Sequence, residues 1–206
     1  MAFRGWPAEA FEFFEGLEAD NTKTFWQAHE AAYKADVRGP MEELLAELAP
    51  EFGEGKLSRP YRDLRFSPNK APYKTQIYAV LGGVGYVGLS ATGLSTGRGY
   101  YMMDAAQLER YRHAVVDDAL GADLAGVVAA TEKKGLEVAS FESLKTAPRG
   151  YPKDHPRADL LRRKGLFAWK SWEPAPWMGT KAAKTRIVKV LHDAEPLHRW
   201  LDANVG

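Results

Sequence analysis

Cysteine is missing from the 206-residue chain. Its absence rules out a disulfide scaffold, thiolate zinc and a cysteine nucleophile, and it is compatible with a reducing compartment. No apolar run reaches the roughly 18 residues that a membrane-spanning helix needs, so no membrane partner is expected. The opening MAFRGWPAEAFEFF lacks a basic segment followed by a clean apolar one, so a cytoplasmic rather than a secreted protein is expected. Charge of one sign is not in excess either: 28 basic side chains stand against 27 acidic ones. That balance removes the global electrostatic case for nucleic acid or an anionic membrane and leaves only a local patch to make it. Among reaction signatures, a GxxxxGK loop with Ser or Thr, a GxSxG elbow and HExxH are all missing. His29, His113, His155, His192 and His198 show no metal-ligand spacing, so neither a metal nor a cofactor is expected.

The chain is 45% hydrophobic and 27% charged, an ordinary globular composition. One α+β domain over residues 1–206 is expected, burying about 70% of its surface. After Pro7, the residues Ala10, Phe11, Phe14 and Leu17 recur at helical spacing. Asn21 is a candidate cap for a second helix carrying Phe25, Trp26, His29 and Tyr33, and Gly39-Pro40 should break it before a third segment with Met41, Leu44, Leu45 and Leu48. Strand texture begins beyond Gly55: Asp63 and Arg65 alternate with Leu64 and Phe66, Ile77–Leu81 is an apolar run, and Tyr100–Met103 reads as a further strand. Asp104 should cap a helix through Tyr111 and Val115, a second helix should run from Ala122 to Lys134, and Gly135 should end it. A strand at GLEVAS, a loop from Pro148 to Pro156 and a short basic helix at 159–164 follow. Trp169, Trp172 and Trp177 suggest an edge strand or hairpin ahead of a final helix with Ile187, Val190, Leu191, Trp200 and Leu201. Helices and strands come in blocks, so a largely antiparallel sheet packed with N-terminal, middle and C-terminal helices is the expected architecture.

Gly83-Val84-Gly85-Tyr86-Val87-Gly88 is a literal GxGxxG after an apolar run. A dinucleotide site needs a helix to open at the third glycine, however, and here Gly93, Gly97 and Gly99 would have to lie inside it, so the match is a decoy. The stretch from Tyr61 to Thr75 packs charge between prolines and aromatics. On a strand over 62–66, Asp63 and Arg65 would share one face and pair, at least partly buried. Arg62, Arg65, Lys70, Tyr73 and Lys74 could then gather on a phosphate or carboxylate, with Pro68 and Pro72 stiffening the loop that presents the lysines. The alternative for the same stretch is a structural ion pair beside solvated lysines. A second constellation holds Arg149, Asp154 and His155. His155 oriented by Asp154 is a candidate general base, and the competing reading is a turn leading into a helix. Asp63 is a further weak catalytic candidate. The three tryptophans, interleaved with Lys170 and Lys181, could stack on bases, although balanced charge argues for packing instead.

These residues carry a resemblance. Asn21 with Phe25-Trp26, the run from Arg62 to Ser67 with Lys70 to Thr75, Gly97-Arg98-Gly99-Tyr100-Tyr101, and Arg149-Gly150-Tyr151 with Asp154-His155-Pro156 and Leu160-Leu161 together resemble the DUF2461 family of uncharacterised bacterial and fungal proteins. The blocks run in order over residues 3–201. Asn69 departs from the pattern, which has Asp before the lysine, so no carboxylate role is implied there. The resemblance implies a single α+β domain and no reaction. The expected function is binding, or acting on, an anionic small molecule through the Arg, Lys, His and Asp cluster. A non-catalytic protein-interaction module is the alternative, and nucleic-acid binding stands third.

Overall fold

A computed structural model describes residues 2–63, 65, 71–83 and 85–206. Helix α1 spans Ala8–Ala19 and buries Ala10, Phe11, Phe13, Phe14 and Leu17, the stripe its spacing calls for. Helix α2, Lys23–Ala32, is capped by Thr22 rather than Asn21: Thr22 Oγ1 accepts from the Phe25 amide at 3.2 Å. Gly39-Pro40 does not break the helical run. A π-helical turn, Tyr33–Arg38, leads directly into α3, Gly39–Phe52, and the Gly39 N–H reaches back to the Lys34 carbonyl. Proline in an α-helix clashes with the carbonyl four residues earlier, and the wider turn removes that clash without ending the helix.

Three strands follow: β1, Gly55–Leu57; β2, Gln76–Leu81; and β3, Gly85–Ser90. All pairings among them are antiparallel, with Lys56 opposite Val80 and Tyr78 opposite Gly88. The GxGxxG motif lies at the β2–β3 connection, where Gly82 (φ 52°) and Gly83 (φ 82°) make the turn and Gly85 opens a strand, not a helix. Val84 lies outside the described residues.

Strand β4, Gly93–Tyr100, ends at Tyr100 rather than continuing to Met103. Asp104 caps α4, Ala105–Val116, in a reciprocal capping box with Gln107. Helix α5, Asp118–Lys133, is followed by Gly135 (φ 80°). Then come β5, Glu137–Ala139; α6, Ala158–Arg162; β6, Leu166–Trp172; a short 3-10 turn at Pro176–Gly179; α7, Ala182–Asp193; and α8, Glu195–Asn204. The strands hydrogen-bond in the order β1-β2-β3-β4-β6-β5. The fold is α+β with a six-stranded antiparallel sheet. Strand β6 lies between β4 and β5, so Trp169 and Trp172 sit on an interior strand rather than an edge; Pro174 and Pro176, which suggested an edge, fall beyond its end.

The contacts gather into two compact units, Met1–Thr96 with Ser171–Lys189 and Gly97–Lys170 with Val190–Gly206. The first buries Phe3, Trp6, Phe14, Met41, Leu44 and Ile77. In the second, Tyr111, Val115, Leu161, Phe167, Leu197 and Leu201 are buried.

Candidate functional site

In the first unit the two described segments between β1 and β2, residues 58–63 and 71–75, zip together at a base, and these two segments form the arm. Past β1, the Ser58 amide donates to the Tyr78 carbonyl at 2.8 Å, and Ser58 Oγ accepts from the Tyr78 amide at 3.1 Å. Farther out, Tyr61 and Tyr73 form an isolated antiparallel bridge. It is flanked by Arg62 N–H to the Pro72 carbonyl at 2.9 Å and Lys74 N–H to the Pro60 carbonyl at 2.8 Å. Both prolines contribute only acceptors, so their missing N–H costs the ladder nothing. Asn21 locks this base: its Nδ2 donates to the Tyr73 carbonyl at 3.1 Å and its Oδ1 accepts from the Tyr73 amide at 3.0 Å. Tyr73 is buried with its ring stacked on Trp26, centroids 4.4 Å apart and planes 6° apart. Burial raises its hydroxyl pKa. Its ring is therefore part of the foundation under the arm.

Between the arm and the outer side of β1 and β2 runs a groove of about 1000 Å³. Ile77, Ala79 and Leu81 of β2 face the core, and the alternate residues Tyr78 and Val80 form the groove wall. Its described lining includes five cations, Lys56, Arg59, Arg62, Arg65 and Lys74, and one carboxylate, Asp63. Asp63 and Arg65 do pair, Nη2 to Oδ2 at 2.6 Å and Nε to Oδ1 at 3.0 Å. The pair is exposed, however, and Arg65 sits at a bend instead of on a strand. The Arg65 amide donates to Asp63 Oδ1 at 3.1 Å, a carboxylate-to-backbone turn two residues long that competes with strand pairing. Hydrogen bonds from Arg65 hold the Asp63 carboxyl below its ordinary range and, reciprocally, raise the guanidinium. Lys74 Nζ lies 5.0 Å from the Tyr78 ring centroid. Lys56, Arg59 and Arg62 have no acidic partner among the described residues. The groove thus brings together Arg62, Arg65 and Lys74 of the expected set. Lys70 lies outside the described residues.

Lys56 and Arg59 were not among the expected site residues. Their signal is the recurrence of a cation at every third position, 56, 59, 62 and 65. Tyr61, 57% exposed, and Tyr78 also line the groove.

Arg149, Asp154 and His155 belong to the second unit. Arg149 and Asp154 are exposed in turns. His155 Nδ1 accepts from the Arg157 amide at 3.1 Å, and its carbonyl accepts from Ala158 N–H at 2.9 Å. That ring nitrogen is occupied by a backbone amide, not by a carboxylate, so the neutral ring carries its proton on Nε2 and caps the turn into α6. Arg157 reaches the carbonyls of Val115 at 2.7 Å and Asp117 at 3.0 Å, tying down the end of α4.

The same unit holds a polar cluster that sequence reading passed over. Arg98 pairs with Glu195, Tyr100 donates to Asp202 Oδ1 at 2.7 Å, and His198 Nε2 lies 3.3 Å from Asp202 Oδ2. Burial pushes the Tyr100 hydroxyl up to about 12 and pushes His198 down. Arg98 and Tyr100 stand in the Gly97–Tyr101 block, which was the available signal. In the first unit Trp172 and Trp177 pack edge-on at 5.6 Å, and Arg186 covers the Trp177 ring at 4.3 Å. Among the described residues no group of three or more metal-ligating side chains comes together, and no helix is long and apolar enough to cross a membrane.

Among solved structures, the chain is similar to a conserved hypothetical protein from Pyrococcus furiosus, at 15% identity and a TM-score of 0.39, over 84% of this chain and 96% of that one. No curated protein matches it. The family model described as a conserved hypothetical protein (DUF2461) matches residues 9–200. With nearly the whole sequence inside that match, the chain belongs to the DUF2461 family.

Proposed function

We propose that the first unit binds an anionic ligand, bearing phosphate or carboxylate groups, in the groove between the arm and strands β1 and β2. The observation that supports it is the imbalance of the lining: five cations against one carboxylate, which Arg65 already occupies. Like charges held in one concavity repel each other, and an anion relieves that repulsion while arginine supplies a planar fork of donors. The zipped base of the arm limits how far these cations must be ordered on binding, which favours affinity. Asp63 is held below the ordinary carboxylate range, too weak a base for general-base work near neutral pH. A cytoplasmic setting, rich in phosphorylated and carboxylate-bearing compounds, belongs to this reading.

The test is a thermal-shift screen of nucleotides, phosphorylated metabolites and dicarboxylates. Ligand that binds only the native state raises the melting temperature by mass action. At least one anion should stabilise the parent, and the Arg59→Ala/Arg62→Ala variant, with an unchanged melting temperature of its own, should lose that response. A full response in this variant, or no response to any anion in the parent, sinks the proposal.

A further inference from the structure

Lys56, Arg59 and Arg62 recur at every third residue, from β1 past the Ser58 pairing and a bend at Pro60 to the bridge at Tyr61. Even fully extended, at about 3.3 Å per residue, neighbouring cations would be at most roughly 10 Å apart along the chain. Hydrogen-bond donors must come within about 3 Å of one phosphate oxygen to share it. Five cations in one lining outnumber the charges of a single phosphate and suit a row of them. The groove's volume, about 1000 Å³, is also at the upper end of what small-molecule pockets enclose.

The groove has a second property that a simple anion leaves unused. Tyr61 stands between Arg59 and Arg62 with 57% of its surface exposed, and Tyr78 forms part of the wall beneath Lys74. Among the described residues, Tyr61 makes tilted contacts with Trp26 and Tyr73, at 6.1 and 5.4 Å. Aromatic rings alternating with cations along a groove are what unpaired bases and their backbone require: bases stack on the rings, and the cations neutralise the phosphates. A duplex hides its base faces and would leave Tyr61 idle. The balanced charge of the whole chain set nucleic acid aside, yet between residues 55 and 65 there are four cations and one carboxylate.

From these observations we infer that the anion held in this groove is the backbone of single-stranded nucleic acid, with a base stacked on Tyr61. The inference rests on the groove's being an anion site. The experiment is fluorescence anisotropy with labelled oligo-dT and oligo-rU of about 12 nucleotides, a length within the usual single-strand site sizes. Competitors are inorganic polyphosphate of matched charge, ATP, and a duplex of equal length. The single strands should bind, with log Kd rising against log salt at about 0.7 per neutralised phosphate, so a slope of roughly 2 to 3.5 for three to five contacts. Arg62→Ala should lower that slope by about 0.7. Tyr61→Ala should weaken binding about fivefold or more at unchanged slope, the loss of one stacked base, and Tyr61→Phe should restore it. If polyphosphate or ATP competes as well as the oligonucleotide and Tyr61→Ala binds like the parent, the nucleic-acid inference falls while the anion site stands. Equal competition by the duplex overturns the single-strand assignment. If neither oligonucleotide nor polyphosphate binds, the nucleic-acid inference falls, and the thermal-shift screen alone decides the anion site.

Discussion

Asn21 is the residue on which the geometry of the arm most depends, and Asn21→Ala is the perturbation that measures it. The side chain spends its donor and its acceptor on the backbone of one residue, Tyr73, 52 positions away. Tyr73 is 4% exposed and both bonds are part-buried, so water replaces the lost partner only in part. Each hydrogen bond has a net worth of about 1 kcal/mol, and each buried group left unsatisfied costs about 1–3 kcal/mol in its place. The Ala variant should therefore lose about 2–4 kcal/mol. In a chain of this length, about 3 kcal/mol corresponds to a fall of roughly 6–12 °C in melting temperature. Thermal melts followed by circular dichroism, with urea midpoints alongside, give the number. Asn21→Asp keeps an acceptor for the Tyr73 amide but turns an oxygen toward its carbonyl, so it should fall between parent and Ala.

Thr22→Ala is the control. It removes the cap of α2, worth about 1 kcal/mol, from the neighbouring residue without touching Tyr73. Anion affinity should drop in Asn21→Ala, where the base of the arm is unlocked, and stay at the parental value in Thr22→Ala. An Asn21→Ala variant melting within about 1 °C of the parent would refute the reasoning, since it would mean that the amide and carbonyl of Tyr73 are satisfied without the clamp.

Asp63→Asn should leave the melting temperature unchanged, because the pair it breaks is exposed. It should tighten anion binding by freeing Arg65 and removing the groove's carboxylate, and weaker binding would assign Asp63 a part in holding the ligand. In the second unit, burial and then Arg98 depress His198 below its ordinary 6.5, against the opposing pull of Asp202 and Glu195 and beside Tyr100. The unfolded chain then takes up that proton first as pH falls, so stability should decline from about pH 6.5 down through the folded value and level off below it. Urea midpoints for His198→Gln should show a shallower decline than the parent over that window, and an identical pH dependence would place the titration elsewhere.

The parts of the fold legible in the sequence are those decided by near neighbours. The stripe of α1, the Asp104–Gln107 capping box and the glycine after α5 involve contacts a few residues apart, and the structure has them where the spacing put them. The decoy glycine motif was legible for the same reason: a helix there would have to contain glycines that favour turns and strands. What was misread depends on distant partners or on backbone options that pattern does not display. Asn21 has the composition of a cap, but its long-range bonds to Tyr73 take precedence and Thr22 caps instead. Pro40 reads as a break unless the chain can widen into a π turn ahead of it. The interior position of β6 follows from pairing with strands far off in sequence. In the 61–75 block, alternation separates residues that density of charge had grouped: Lys74 lines the groove and its neighbour Tyr73 is buried.

A balanced total charge says little about the charge at any one place on the chain. A net charge of +1 is a sum over segments that differ in sign. Helix α1 exposes Glu9, Glu12, Glu15 and Glu18 at every third position, while the stretch from Lys56 to Arg65 sets cations at the same interval. Exposed charges lose their influence beyond a Debye length, about 8–10 Å at physiological salt. An acid more than a Debye length from a cation therefore cancels it in the total without neutralising it in space. Among the groove's described lining residues the one acid is Asp63, and Arg65 holds it. A total near zero therefore does not by itself describe the groove, whose described lining holds five cations and one carboxylate.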